Sequence, residues 1–235
     1  MASRETSARA PLPKGDEKVR AVRAMFDAIA PRYDLVNRIM TFRMDVGWRR
    51  RTVRSLGLRT RSVVVDVACG TGDLCRELAR AGLAPVGVDL SFGMLAAAHT
   101  TVPLVHADAL QLPFAEAAFD GATCGFALRN FVALEPFLGS LARAVRPGGR
   151  VALLEVAEPA NSILRWGHGV YFGKVVPRIG ALLSDGSAYR YLPRSVEYLP
   201  ATDDLLDMVG AASFTDVART PLSAGIAQLI TATRR

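Results

Sequence analysis

Between residues 62 and 156 the chain alternates short apolar runs with helical stretches, and this alternation limits the fold more than any other feature of the sequence. The runs Ser62–Val67 (SVVVDV), Pro85–Asp89, Leu104–Ala107, Phe119–Cys124 and Val151–Val156 have the length and β-branched content of strands. The first holds three consecutive valines, the pattern of a strand buried on both faces. Between them, Asp73–Ala81, Phe92–His99 and Leu134–Val145 read as helices, the last stopped by Pro147-Gly148-Gly149. Asp203–Gly210 reads as another helix, and Phe214–Arg219 and Ile226–Thr231 as two closing strands. Strands alternating with helices predict an α/β fold: a parallel sheet covered by helices on both faces.

The flanks are different. Residues 1–15 carry Pro11, Pro13 and Gly15 without hydrophobic periodicity, and read as a disordered tail. Residues 16–235 then form one domain. Val19, Val22, Met25, Phe26 and Ile29 recur at helical spacing until Pro31, and a second helical segment is expected through Trp48–Val53. Residues 159–200 interrupt the alternation with a strongly apolar stretch, Ile163–Leu183. The net charge of +7 is uneven: +9 over residues 1–61, −4 over 62–160 and +2 over 161–235. A basic first quarter points to an anionic surface, lipid headgroups or nucleic acid, or else to a solvated helical face. Cys69, Cys75 and Cys124 are too few and too irregular for a disulfide framework or a zinc site, and fit a reducing cytosol. His99, His106 and His168 share no metal-binding spacing. No apolar run approaches the roughly 18 residues of a membrane span, and the first residues lack the apolar centre of a signal peptide.

Three strand ends carry chemistry. Asp66-Val67-Ala68-Cys69-Gly70-Thr71-Gly72-Asp73 follows the first strand and opens a helix. Glycines there let a ligand approach the backbone, at a helix N-terminus rich in free N–H groups. The third glycine of a dinucleotide fingerprint is replaced by Cys75, and the lysine of a phosphate-binding loop is absent. Asp89 ends the second strand 19 residues after Gly70, where a carboxylate can accept hydrogen bonds from both hydroxyls of a ribose. Asp108-Ala109 follows the third strand, offering a carboxylate and an adjacent backbone N–H to an adenine edge. Together they outline an adenosine site at the mouth of a parallel sheet. The ordered set resembles the class I S-adenosylmethionine-dependent methyltransferases. The fourth strand end, Cys124-Gly125-Phe126-Ala127-Leu128-Arg129-Asn130, lacks the Pro-Pro-aromatic element of nucleic-acid amino-methylating enzymes, and Cys124 lacks the proline of cytosine-C5 enzymes. A nucleic-acid partner is therefore not expected; the basic quarter contains only Phe26, Tyr33, Phe42 and Trp48 as aromatics.

Four segments narrow the match. Tyr33-Asp34-Leu35-Val36-Asn37 with Met40-Thr41 and Trp48, Phe126–Asn130, Arg143–Gly149 with Glu155, and Ala188–Val196 resemble stretches of the ubiquinone/menaquinone C-methyltransferase family, in the right order. The chain departs from that family at Thr41, Asp45, Gly125, Ala127 and Ala157. The resemblance implies a Rossmann-like sheet of seven mostly parallel strands, the last antiparallel. It makes residues 16–61 an N-terminal helical cap and 159–200 a substrate-side insertion. It implies S-adenosyl-L-methionine as methyl donor, no metal, and C-methylation of a demethylated isoprenoid quinol, 2-demethylmenaquinol to menaquinol foremost. A C- or O-methyltransferase of a soluble phenolic or polyketide is the alternative.

On this reading Asp66, Gly70, Thr71, Gly72, Asp89, Asp108, Ala109 and Gly125 bind the donor. Arg129, Asn130, Tyr33, Asp34 and Asn37 are the candidates for catalysis, with Arg129 stabilising a phenolate by its permanent charge. Tyr189 and Tyr191 are candidate walls of an aromatic acceptor pocket. The protein is expected in the cytoplasm, meeting an anionic membrane surface transiently at the inner face, since a prenylated quinol lives in the bilayer.

Overall fold

A computed structural model of the chain describes residues 12–159, 161–171 and 194–235. Seven strands form one sheet: β1 (Val63–Val67), β2 (Ala84–Asp89), β3 (Leu104–His106), β4 (Phe119–Gly125), β5 (Val145–Val156), β6 (Phe214–Leu222) and β7 (Ala227–Arg234). Their order is β3-β2-β1-β4-β5-β7-β6. The first five are mutually parallel, and β7 runs antiparallel between β5 and β6. Val64, Val65 and Val67 of β1 are fully buried, as the valine run predicts for the central strand.

Helices cover both faces. α3 (Met44–Ser55) and α4 (Asp73–Arg80) pack Trp48, Val53, Leu74 and Leu78 on one side. On the other, α6 (Leu134–Ala144) and α8 (Thr202–Ala211) contribute Phe137, Leu138, Leu141, Leu205 and Val209. The short α5 (Phe92–Ala96) follows β2, and α7 (Ser162–Val170) follows β5. Cys124 is buried within the larger cluster, behaving as a small apolar residue. The helix expected over Leu134–Val145 ends one residue earlier, at Ala144, because Val145 already pairs with Phe119 as the first residue of β5.

Residues before β1 form three helices, one more than expected: α1 (Gly15–Ile29), α2 (Tyr33–Met40) and α3. Pro31 falls in a single 3₁₀ turn between α1 and α2. Phe42 and Arg43, both at positive φ, separate α2 from α3. Order begins earlier than residue 16. The Tyr198 hydroxyl donates to the Pro13 carbonyl at 2.6 Å, and the Lys18 amide donates to that of Lys14. α1 is fastened at both ends. Near its start Lys18 Nζ donates to Phe131 O at 2.6 Å and lies 3.6 Å from the Tyr198 ring. Near its end Asp27 Oδ1 accepts from Ser91 Oγ and from Gly93 N at 2.9 Å.

The sheet reverses its winding between β1 and β4: β2 and β3 lie to one side, β5 to the other. A ligand crevice is expected outside the carboxyl ends of the strands at such a point.

Candidate active site

A cavity of about 270 Å³ lies at that reversal. Its floor is made by the strand ends: Ala68 after β1, Asp89 of β2, Ala107, Asp108 and Ala109 after β3, and Gly125 and Phe126 at β4. Its cover is α1, through Val19, Val22 and Phe26, with Tyr33 beside them. Asn130, Phe131 and Val132 close a further side. Ala68 and Phe126 both adopt positive φ, which turns the chain sharply out of β1 and β4 and opens the space between them.

Asp89 is held by backbone donors. Gly70 N donates to one carboxylate oxygen and Ser91 N to the other, each at 2.8 Å. Burial raises its carboxyl above the usual range, and the two N–H groups pull it back. Each oxygen keeps lone-pair capacity for a further donor, as a ribose diol requires. Asp108 accepts from Leu110 N at 2.9 Å and caps a 3₁₀ turn, while presenting an exposed carboxylate at the cavity edge. A strand-end carboxylate, a second acid beside a buried alanine, and apolar walls from Val88, Leu90 and Phe131 together fit an adenine nucleoside.

The glycine loop supports this floor from outside the cavity lining. Gly70 and Gly72 have φ of 56° and 84°, which only glycine adopts freely. Thr71 is buried and its hydroxyl donates to Asp34 of α2. Asp66 lies deeper still. It accepts from Thr123 Oγ1 at 2.7 Å and from the Cys75 thiol at 3.3 Å, and does not reach the cavity. Burial pushes Asp66 up to about 7, against the hydrogen bonds that lower it. Its proton is therefore held more tightly in the folded than in the unfolded chain. The stability this confers is full below the ordinary carboxylate pKa and is lost as pH rises through about 7. Asp66→Asn is expected to flatten that slope. Denaturant unfolding should show the variant gaining on the natural protein between roughly pH 4 and pH 7. Parallel curves would place the proton elsewhere.

Two catalytic candidates are engaged in structural pairs. Asp34 lies in an ion-pair chain that runs from Arg38 through Arg76 and Asp73 to Arg49 and Asp45, tying α2, α3 and α4 together under the glycine loop. Arg129 forms a buried ion pair with Glu155, and its Nε donates to Ser195 Oγ at 3.0 Å. Neither Asp34 nor Arg129 lines the cavity. Tyr33 does, with Asn37 hydrogen-bonded to its hydroxyl. Burial raises the Tyr33 phenol against this bond and the nearby Arg129 and Arg49 charges, so it stays protonated at neutral pH. Tyr189 and Tyr191 lie outside the described residues.

Three of the five departures from the family pattern, Thr41, Asp45 and Gly125, have local reasons. Thr41 Oγ1 donates to Asp45 at 2.6 Å, so the two altered positions are partners, and Asp45 is neutralised by Arg49. At Gly125 a Cβ would come within 2.8 Å of Leu74 Cδ1. The cover contributed by α1 escaped sequence reasoning. Its signal, the apolar spacing of Val19, Val22 and Phe26, is visible but does not say what it faces.

A sheet of this order, with its last strand reversed and a carboxylate-lined cavity at the β1–β4 reversal, defines a class I S-adenosylmethionine-dependent methyltransferase. Solved structures share the fold. A methyltransferase from Thermotoga maritima superposes with a TM-score of 0.64 over 91% of this chain and 99% of its own, at 16% identity. Phosphoethanolamine N-methyltransferase 2 of Haemonchus contortus, in complex with S-adenosyl-L-methionine, gives 0.59 over 79% and 52%, at 16% identity. The ubiE/COQ5 methyltransferase family profile matches residues 14–234, and the chain belongs to that family. Among relatives, the demethylmenaquinone methyltransferase of Thermus thermophilus is 43% identical, covering 81% of this chain and 91% of its own length. The ubiquinone/menaquinone biosynthesis C-methyltransferase of Syntrophotalea carbinolica is 40% identical over 90% and 93%.

Proposed function

We propose that the enzyme transfers a methyl group to a ring carbon of a demethylated prenylated hydroquinone, 2-demethylmenaquinol becoming menaquinol. One observation carries this reading: Tyr33 and Asn130, from two separate family segments, line the same cavity as Asp89. The names of the relatives support it.

S-adenosylmethionine would supply a methyl group already activated on a sulfonium. As the ring carbon bonds to it, the S–CH3 bond breaks, the thioether product keeps that electron pair, and the proton of the attacked carbon passes to solvent. Asp89 holds the ribose hydroxyls, Asp108 and Ala109 meet the adenine edge, and the Gly70–Gly72 turn shapes the floor through Asp89. Fixing donor and acceptor in line supplies several kcal/mol of the barrier. The attacking carbon must be electron-rich, which a hydroquinone is and a quinone is not. The Tyr33 hydroxyl, oriented by Asn37, donates a hydrogen bond to the ring oxygen and fixes which carbon faces the donor. Asn130 adds a second polar contact. Arg129, one residue away, positions Asn130 through its buried pair with Glu155.

The deciding assay offers reduced demethylmenaquinone, its oxidised form, a reduced demethoxyubiquinone-type acceptor and simple phenols side by side. Methylation of the reduced naphthoquinol and not of the quinone is expected. Faster turnover of a simple phenol would replace this reading with that of a soluble-metabolite methyltransferase. Tyr33→Phe is expected to lower turnover about tenfold, the scale of one neutral hydrogen bond, with donor affinity unchanged. Initial rates and donor titration separate the two effects.

A further inference from the structure

The outer face of α2 is apolar where a surface helix should be polar. Leu35 is 56% exposed, Ile39 39% and Phe42 72%, at the i, i+4, i+7 spacing of one stripe. The stripe is continued by a second element. Tyr171, at the end of α7, donates from its hydroxyl to Met40 O at 2.9 Å, and its ring centre lies 5.6 Å from that of Phe42. Little more than one turn upstream on α7 stands Trp166, 73% exposed. Scattered exposed apolar residues need no explanation; two exposed aromatic side chains and an apolar stripe on adjoining elements do.

Arg43, next to Phe42, starts a basic side of α3 among the described residues. α3 begins at the residue after Arg43 and turns Arg43, Gly47, Arg51 and Arg54 outward along one side. Acidic neighbours are already taken: Asp34 by Arg38 and Arg76, Glu77 by Arg50 and Arg80. Among the described residues Arg43, Arg51 and Arg54 have no ion pair. An apolar ridge with exposed Phe and Trp beside a row of unpaired arginines is the arrangement of an interfacial helix on an anionic membrane.

We propose that α2, the turn at Phe42 and α7 dock on an anionic phospholipid bilayer. Leu35, Ile39, Phe42 and Trp166 enter the headgroup boundary, and Arg43, Arg51 and Arg54 meet lipid phosphates. The proposal rests on the quinol reading for its purpose. α2 begins at Tyr33 on the cavity wall and ends two residues before Phe42, so about 12 Å of helix joins the reaction chamber to the surface that holds a prenylated acceptor.

The test is co-sedimentation of the full chain with phosphatidylcholine vesicles, with and without phosphatidylglycerol, at low salt and at 1 M salt, where screening acts within about 3 Å. Binding to the anionic vesicles at low salt is expected, and more than a tenfold loss at high salt. Arg51→Gln with Arg54→Gln should weaken it about 30-fold, about 1 kcal/mol for each arginine. Phe42→Asn with Trp166→Ser should abolish pelleting without altering the thermal melt. Asparagine suits the positive φ at residue 42. Both double variants should methylate a tail-less soluble quinol at the natural rate and a vesicle-borne prenylated quinol more slowly. Equal binding to neutral vesicles, or no effect of either double variant, overturns the proposal. So does a halved mass in light scattering for the Phe42/Trp166 variant, which would make the patch a contact between two copies. If the natural protein pellets with anionic vesicles but leaves the tail-less quinol unmethylated, the docking surface stands and the quinol reading fails.

Discussion

Arg129→Ala should lower the stability of the fold by about 3–5 kcal/mol, because it leaves Glu155 buried without its counter-charge. For a chain of this length that is a fall of roughly 10 °C in melting temperature. The loss is local in origin. Arg129 also donates to Ser195, so the substitution releases the residues that enter the 3₁₀ turn Val196–Tyr198, next to α1. Arg129→Lys keeps one bond to Glu155 but not the planar fork, and should fall between the two. Replacing both partners by apolar residues of similar volume, Arg129→Met with Glu155→Leu, should recover much of the stability. Denaturant unfolding of the four proteins reads all of this directly. A melt unchanged within about 1 kcal/mol, with turnover collapsed, would return Arg129 to the acceptor itself.

Asp89→Ala should weaken S-adenosylmethionine binding by about 2–3 kcal/mol, or about 30- to 150-fold, the scale of charge-assisted hydrogen bonds. The structure gives two routes to this loss. The carboxylate faces the cavity, and it also anchors Gly70 N and Ser91 N, fixing the glycine loop and the start of α5. Asp89→Asn separates them, since its amide oxygen keeps one backbone donor while its amine cannot serve as an acceptor for the other. Titration calorimetry on folded variants is the measurement. Undiminished affinity in the alanine variant would place the ribose elsewhere on the wall, with Asp108 the next candidate.

What the sequence made legible is what local pattern encodes. The valine run of β1, the helices between strands and the acids at the ends of β2 and β3 follow from period, punctuation and spacing, and Asp89, Asp108 and Ala109 all line the cavity. What stayed hidden depends on partners far along the chain. Asp34 reads as a candidate for catalysis until Thr71, 37 positions away, is seen to donate to it. Arg129 reads as a free cation until Glu155, 26 positions on, pairs with it. Asp66 stands in the right motif, but burial beneath the loop follows from sheet register, which pairs it with Gly87 and Thr123. The third N-terminal helix went unseen because two non-glycine residues, Phe42 and Arg43, make the break at positive φ.

The fastening of α1 has a consequence for the order in which the chain leaves the ribosome. The helix is made before the residues it fastens to: Lys18 anchors to Phe131, 113 positions later, and Pro13 to Tyr198, 185 positions later. Until β1–β4 arrive, its stripe of Val19, Val22 and Phe26 has no floor to cover. β1–β4 can pair before the second tie of the roof is available, and that tie waits for Tyr198. A nascent or truncated chain ending before residue 198 thus carries the acids of the floor under a roof held by Lys18 and Asp27 but not by Pro13.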